Sequence, residues 1–218
     1  MKTKTPFLLL VFMISNYSYS ATAPWVGSTL DGIACKGGGT GYGPFDYLHR
    51  SNLQHELILV EGTHFTPEVE QLIKGESGYL GGDLDYTLRA WPNHHKALLS
   101  ISRYQIQVNQ KLRPGKNFSP PPECYMQRAI HFSPKDIVSY MIYGNYLKNI
   151  GHPELAVPFY EKAIKISPKN AKIEYGFSLL LIALKQYDEA LNYAKSAYQH
   201  GNPPEGLQKK LKKLGVWK

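Results

Sequence analysis

The chain has 218 residues, 43% of them hydrophobic and 19% charged, with a formal net charge of +8. That length fits one or two ordinary domains, and 19 Gly with 15 Pro are too few for a disordered or collagenous chain. Beyond the first twenty positions no apolar run approaches the roughly 18 residues needed to cross a bilayer, which excludes a membrane span there.

At the N-terminus Lys2 and Lys4 precede an apolar run, Phe7 to Ile14, and then the small and polar residues Ser18, Tyr19 and Ser20. This is the order of a secretory signal peptide, residues 1–20, with cleavage expected after Ser20 and a mature chain starting at Ala21. No cysteine directly follows the apolar run, so a lipoprotein is not expected. The protein is expected to be exported, periplasmic or secreted. In an oxidising compartment Cys35 and Cys124 are expected to pair, closing a loop of about 90 residues that is worth some 4 kcal/mol by chain entropy. Neither belongs to a Cys-x-x-Cys arrangement, so redox catalysis has no support.

Residues 21–92 form a loop-rich N-terminal segment. Its glycines, Gly37 to Gly43, match neither a dinucleotide fingerprint nor a P-loop, and no phosphate cradle follows from them. Thr66 as N-cap, Pro67 at the first helical position and Glu68 and Glu70 in the first turn predict a short helix, closed by Gly75. His49, His55, His64, His94 and His95, with Glu61, Asp83 and Asp85, leave open a hydrolase or metal site within residues 46–95. The spacing does not favour it. His94 and His95 are adjacent at a helix start and point about 100° apart, whereas two ligands from one helix sit at i and i+4. No cofactor, catalytic residue or metal ligand set is assigned.

A helix starting at Asn93 follows, with the stripe Ala97, Leu98, Ile101, Tyr104, Val108 and Leu112. The Pro-rich stretch Arg113 to Pro122 separates it from a second helix, Cys124 to His131. Further on, Ala163 and Ala197 are 34 residues apart. That register places Tyr140, Tyr143, Gly144, Leu147, Ala156, Tyr160, Ala163 and Pro168 in one unit, 137–170. It places Phe177, Ser178, Leu181, Ala190, Ala194 and Ala197 in the next, 171–204. Small residues beside large ones at these positions are what closely packed helices require. Ser133 with Asp136 suggests a capping box before the first helix, and Gly151 its end. Pro158 is expected to kink the second helix. One step of 34 residues back reaches Ala129 and Pro134, so residues 93–136 read as a degenerate unit with an insertion. Residues 205–218 complete the array as a basic capping helix: Leu207, Leu211 and Leu214 make its apolar stripe, while Lys209, Lys210, Lys212 and Lys213 face water.

These positions resemble the tetratricopeptide repeat superfamily, and the strings GPFDY, HFTPEVE and GDLDYTLRAWPNHHKAL are similar to those of an uncharacterised group of secreted bacterial repeat proteins. The resemblance implies an all-α fold, a short solenoid of helical hairpins behind a loop-rich N-terminal segment. It also implies a protein–protein interaction scaffold, here in a cell-envelope process, that takes a protein or peptide partner. Export argues against a nucleic acid partner. In such hairpins the first helix lines a concave face, which assigns Val138, Met141, Asn145 and Lys148, then Lys172, Tyr175, Leu179 and Ile182, to the groove. Asn145 suits a peptide backbone, Lys148 and Lys172 acidic groups, and Tyr175 an aromatic contact. Met141 stands where a carboxylate clamp has a charged residue, so a free C-terminus is not the expected ligand. The alternative is that the N-terminal segment, held by the disulfide, folds back over some of these residues.

Overall fold

The computed structural model describes residues 22–112 and 118–218. The expected signal peptide lies outside the described residues, as do residues 113–117 of the Pro-rich insertion. Residues 22–46 carry no helix and fold back through an antiparallel bridge between Ser28 and Ala34. Beyond them the N-terminal segment is helical: a 3-10 turn at Tyr47–Asn52, then α1 (Gln54–His64), α2 (Pro67–Glu70) and α3 (Leu80–Ala90). Thr66 and Pro67 open α2 as the sequence predicts. It ends earlier than Gly75, because Leu72 takes the left-handed conformation (φ 63°). Leu72 is buried against the main core, and that burial, about 2 kcal/mol for a leucine, offsets the cost of roughly 1–2 kcal/mol for a left-handed L-residue.

The hairpins follow as α4 (His95–Asn109) with α5 (Pro122–Phe132), α6 (Ile137–Asn149) with α7 (Pro153–Ile166), and α8 (Ala171–Ala183) with α9 (Tyr187–His200), closed by α10 (Gly206–Lys213). Helix α4 starts after His94, whose Nδ1 accepts from the backbone N–H of Ala97. Asp136, not Ser133, caps α6 by accepting from the N–H of Val138. The helix begins too late for a Ser133 capping box, and the Ser133 hydroxyl donates to Asp46 instead. Gly151, at φ 95°, follows the C-cap of α6. Helix α7 continues through Pro158 to Ile166. In α10 the stripe is shorter than expected: Leu207 and Leu211 are fully buried, whereas Leu214 is 42% exposed because the helix has ended at Lys213.

Helices α4, α6 and α8 neighbour one another in series, and α5 and α7 fill the spaces between successive hairpins. One hydrophobic core runs from Phe65 through Leu98, Tyr125, Leu147, Tyr160 and Leu180 to Leu211. A smaller one, Tyr47, Val60, Ala90 and Trp91, lies under the N-terminal helices.

A disulfide, a buried arginine and a carboxylate network are among the attachments that hold the N-terminal segment to the array. Cys35 and Cys124 form a disulfide with Cα atoms 5.5 Å apart. Arg128 of α5, 1% exposed, donates to the carbonyls of Ala23, Leu88 and Arg89 and lies over the Trp25 ring. Two of those carbonyls belong to the last turn of α3, where the helix dipole favours a cation. Lastly, Asn93 donates to both Asp46 and Asp136, while Asp136 accepts from His95 and Ser139. Burial alone would raise the Asp136 carboxyl, but these donors outweigh it and hold it below the usual carboxylate range.

Candidate functional site

Residues at i, i+4 and i+7 share a helix face, so the half-buried Met141, Asn145 and Lys148 of α6 align; Lys172, Tyr175 and Leu179 of α8, at i, i+3 and i+7, align likewise. Because α6 and α8 are in contact, the two rows are neighbours. At one end they open into a cavity of about 510 Å³ lined by Met141, Ala171, Lys172 and Tyr175 together with Gly201, Asn202, Pro203 and Pro204 of the α9–α10 connection. The Tyr198 hydroxyl donates to the Pro204 carbonyl, which fixes that connection over the cavity. The walls are largely apolar and Lys172 is exposed, so the cavity suits a bulky apolar side chain close to an acidic group.

Three of the eight predicted groove residues therefore converge on one cavity. Asn145, Lys148 and Leu179 are half-buried further along the same face, Val138 is half-buried, and Ile182 is buried in the core. Burial and the neighbouring charge of Lys210 push the Lys148 ammonium below its ordinary value. Lys210 belongs to α10, which packs on α8, so the C-terminal helix approaches that end of the groove. Among the described residues, none that lines the cavity comes from the N-terminal segment. The contribution of Pro203, Pro204 and Gly201 is absent from the repeat register, and the Pro–Pro pair after α9 was its one sequence signal.

The histidines of residues 46–95 do not converge. His64 pairs with Asp83, His94 with Glu61 and His95 with Asp136, each at 2.8 to 2.9 Å. His49 lies 3.8 Å from Asp46, and Asp85 pairs with Arg89. Among the described residues no group of three His, Cys, Asp or Glu side chains is placed to hold a metal ion. Each pair has a structural task. Asp83 also accepts from the N–H groups of Glu76 and Ser77, pinning the α2–α3 connection. His94 is fully buried, and that burial depresses its pKa although Glu61 opposes the shift. Since its Nδ1 accepts from Ala97, the neutral ring carries its proton on Nε2 and donates it to Glu61.

A comparison with curated proteins finds no match. Among solved structures, one titled "Crystal structure of MamA" is 20% identical with a TM-score of 0.45, covering 75% of this chain and 87% of that chain. Another, titled "MamA MSR-1 C2", is 17% identical with a TM-score of 0.44, covering 66% and 74%. Residues 137–170 match the tetratricopeptide repeat family model, over the same 34 positions as α6 and α7 with their flanking turns. Residues 137–170 are thus similar to a tetratricopeptide repeat.

Proposed function

We propose that this protein is an exported scaffold for protein–protein interaction in a cell-envelope process, and that a partner polypeptide docks along α6 and α8. The observation that carries this reading is the cavity of about 510 Å³ in which Met141, Lys172 and Tyr175 meet. An apolar side chain of the partner enters it, and Asn145, Lys148 and Leu179 continue the contact along the groove. Export accords with the Cys35–Cys124 disulfide, since oxidising compartments preserve such bonds.

The test begins with a photo-crosslinking residue in place of Lys172, which is exposed at the cavity. Captured partners are purified and their affinity for the wild-type chain is compared with that for a Met141→Ala, Tyr175→Ala double variant of unchanged melting temperature. Truncating anchors of this kind is expected to weaken binding by about 2 kcal/mol or more, roughly thirtyfold. A partner that binds the double variant as tightly as the wild type places its site elsewhere.

A further inference from the structure

A second cavity, of about 460 Å³, lies away from the α6–α8 groove, where the N-terminal loop meets α4, α5 and α6. Its walls include Leu30, Asp31 and Ile33 of the loop, Asn109 of α4, Glu123 of α5 and Tyr146 of α6. Glu123 is 4% exposed. One of its oxygens accepts from the backbone N–H of Leu30 at 3.3 Å and the other from the Tyr146 hydroxyl at 3.4 Å, both long hydrogen bonds to neutral donors. Among the described residues no Lys, Arg or His forms an ion pair with it, and the other ionisable groups at the cavity are Asp31, Tyr146 and His152. A buried carboxylate without a counter-charge is costly in a folded protein. Here it faces a space large enough for a ligand.

We propose that this cavity binds an alkylammonium group, with Glu123 as its counter-ion. The walls match such a ligand along its length. Leu30 and Ile33, which are 39% and 66% exposed, offer apolar surface to an aliphatic stem. Asp31 adds a second negative charge at the mouth. A compact ammonium needs only one remaining lone pair of Glu123, whose oxygens each accept one hydrogen bond already, whereas a guanidinium fork needs one on each oxygen in a single plane. The side chain carbonyl of Asn109 accepts from Gln105 and supplies one further oxygen at the wall. This site is independent of the proposed docking groove and shares no lining residue with it.

The experiment is a chemical-shift titration of the intact, disulfide-bonded protein at low salt with three probes. They are n-butylammonium, the peptide acetyl-Gly-Lys-Gly-amide, and the same peptide with norleucine in place of lysine. The amides of Leu30, Ile33, Glu123 and Tyr146 are expected to move with the lysine peptide and not with the norleucine peptide. Glu123→Gln is expected to weaken the response at least about tenfold, as loss of a buried charge partner does. Asp31→Lys, an exposed change that leaves the buried carboxylate in place, should weaken it in the same direction. A stronger response to the peptide than to butylammonium assigns the ammonium to a polypeptide side chain. The reverse order assigns it to a free amine, and either supports the proposal. Equal shifts with lysine and norleucine peptides, or an undiminished response in Asp31→Lys and any folded Glu123→Gln protein, would overturn it.

Discussion

The ring of Tyr160 lies between two glycines on successive first helices. A Cβ on Gly144 would come within 2.7 Å of it from one side, and a Cβ on Gly176 within 2.8 Å from the other. Gly144→Ala is therefore expected to destabilise by about 1–3 kcal/mol through overpacking, read from the denaturation midpoint; an unchanged midpoint would contradict the packing described. The Tyr160 hydroxyl is buried with no hydrogen-bond partner among the described residues, and burial raises its pKa. Tyr160→Phe should accordingly be neutral or stabilising by up to about 1 kcal/mol, the reverse of the usual result for a core tyrosine. The 34-residue register made Gly144 legible, because it coincides with a small-residue position of the repeat. Gly176 escaped it. The equivalent position in the previous repeat is Ile142, and Ser178 holds the small-residue place by donating to the Ala190 carbonyl.

At the scale of elements, periodicity located the helices of the repeats, and departures occurred where tertiary contacts decide a terminus. Leu72 ends α2 in place of a glycine because its side chain is buried, and Asp136 caps α6 because Asn93, His95 and Ser139 converge on it. Sequence spacing contains no trace of such long-range partners. The cavity behind Met141, Lys172 and Tyr175 was half legible: the repeat register supplied the helix faces, but not the connection that closes it. The caps also carry a pH dependence. His94 has its pKa depressed by burial below the ordinary 6.5, so the stability it contributes is complete above that value and is lost as pH falls through its folded pKa. Asp136, held below the ordinary 3.8, contributes stability above that value, lost as pH falls further. Urea midpoints should therefore decline in two stages, the first beginning below about pH 6.5. A His94→Gln variant should lose the first stage and keep the second; a variant curve parallel to the wild type would exclude His94 as its origin.

For the whole molecule, the disulfide and Arg128 make the N-terminal segment part of the same folded body as the repeats. Denatured but unreduced protein should show no maleimide-reactive thiol. Replacing both cysteines by serine should lower stability by about 4 kcal/mol if the chain-entropy account holds, with the denaturation midpoint as the measure. An Arg128→Met change should add to that loss, since it strands the carbonyls of Ala23 and Leu88. The bridge was legible from cysteine count and expected compartment; the arginine was not, since its partners lie 105 and 40 residues away in the chain.

The bridge also alters how the molecule responds to force. Cys35 and Cys124 are separated by 89 residues in sequence, and a tension applied to the two chain ends passes through their sulfur atoms and leaves the enclosed loop slack. At ~3.5 Å per residue, roughly 300 Å of contour stays hidden however far the repeats are pulled apart. The α1–α4 helices and the walls they give to the proposed ammonium cavity are thus shielded from a load that would unravel the proposed docking groove on α6 and α8 first.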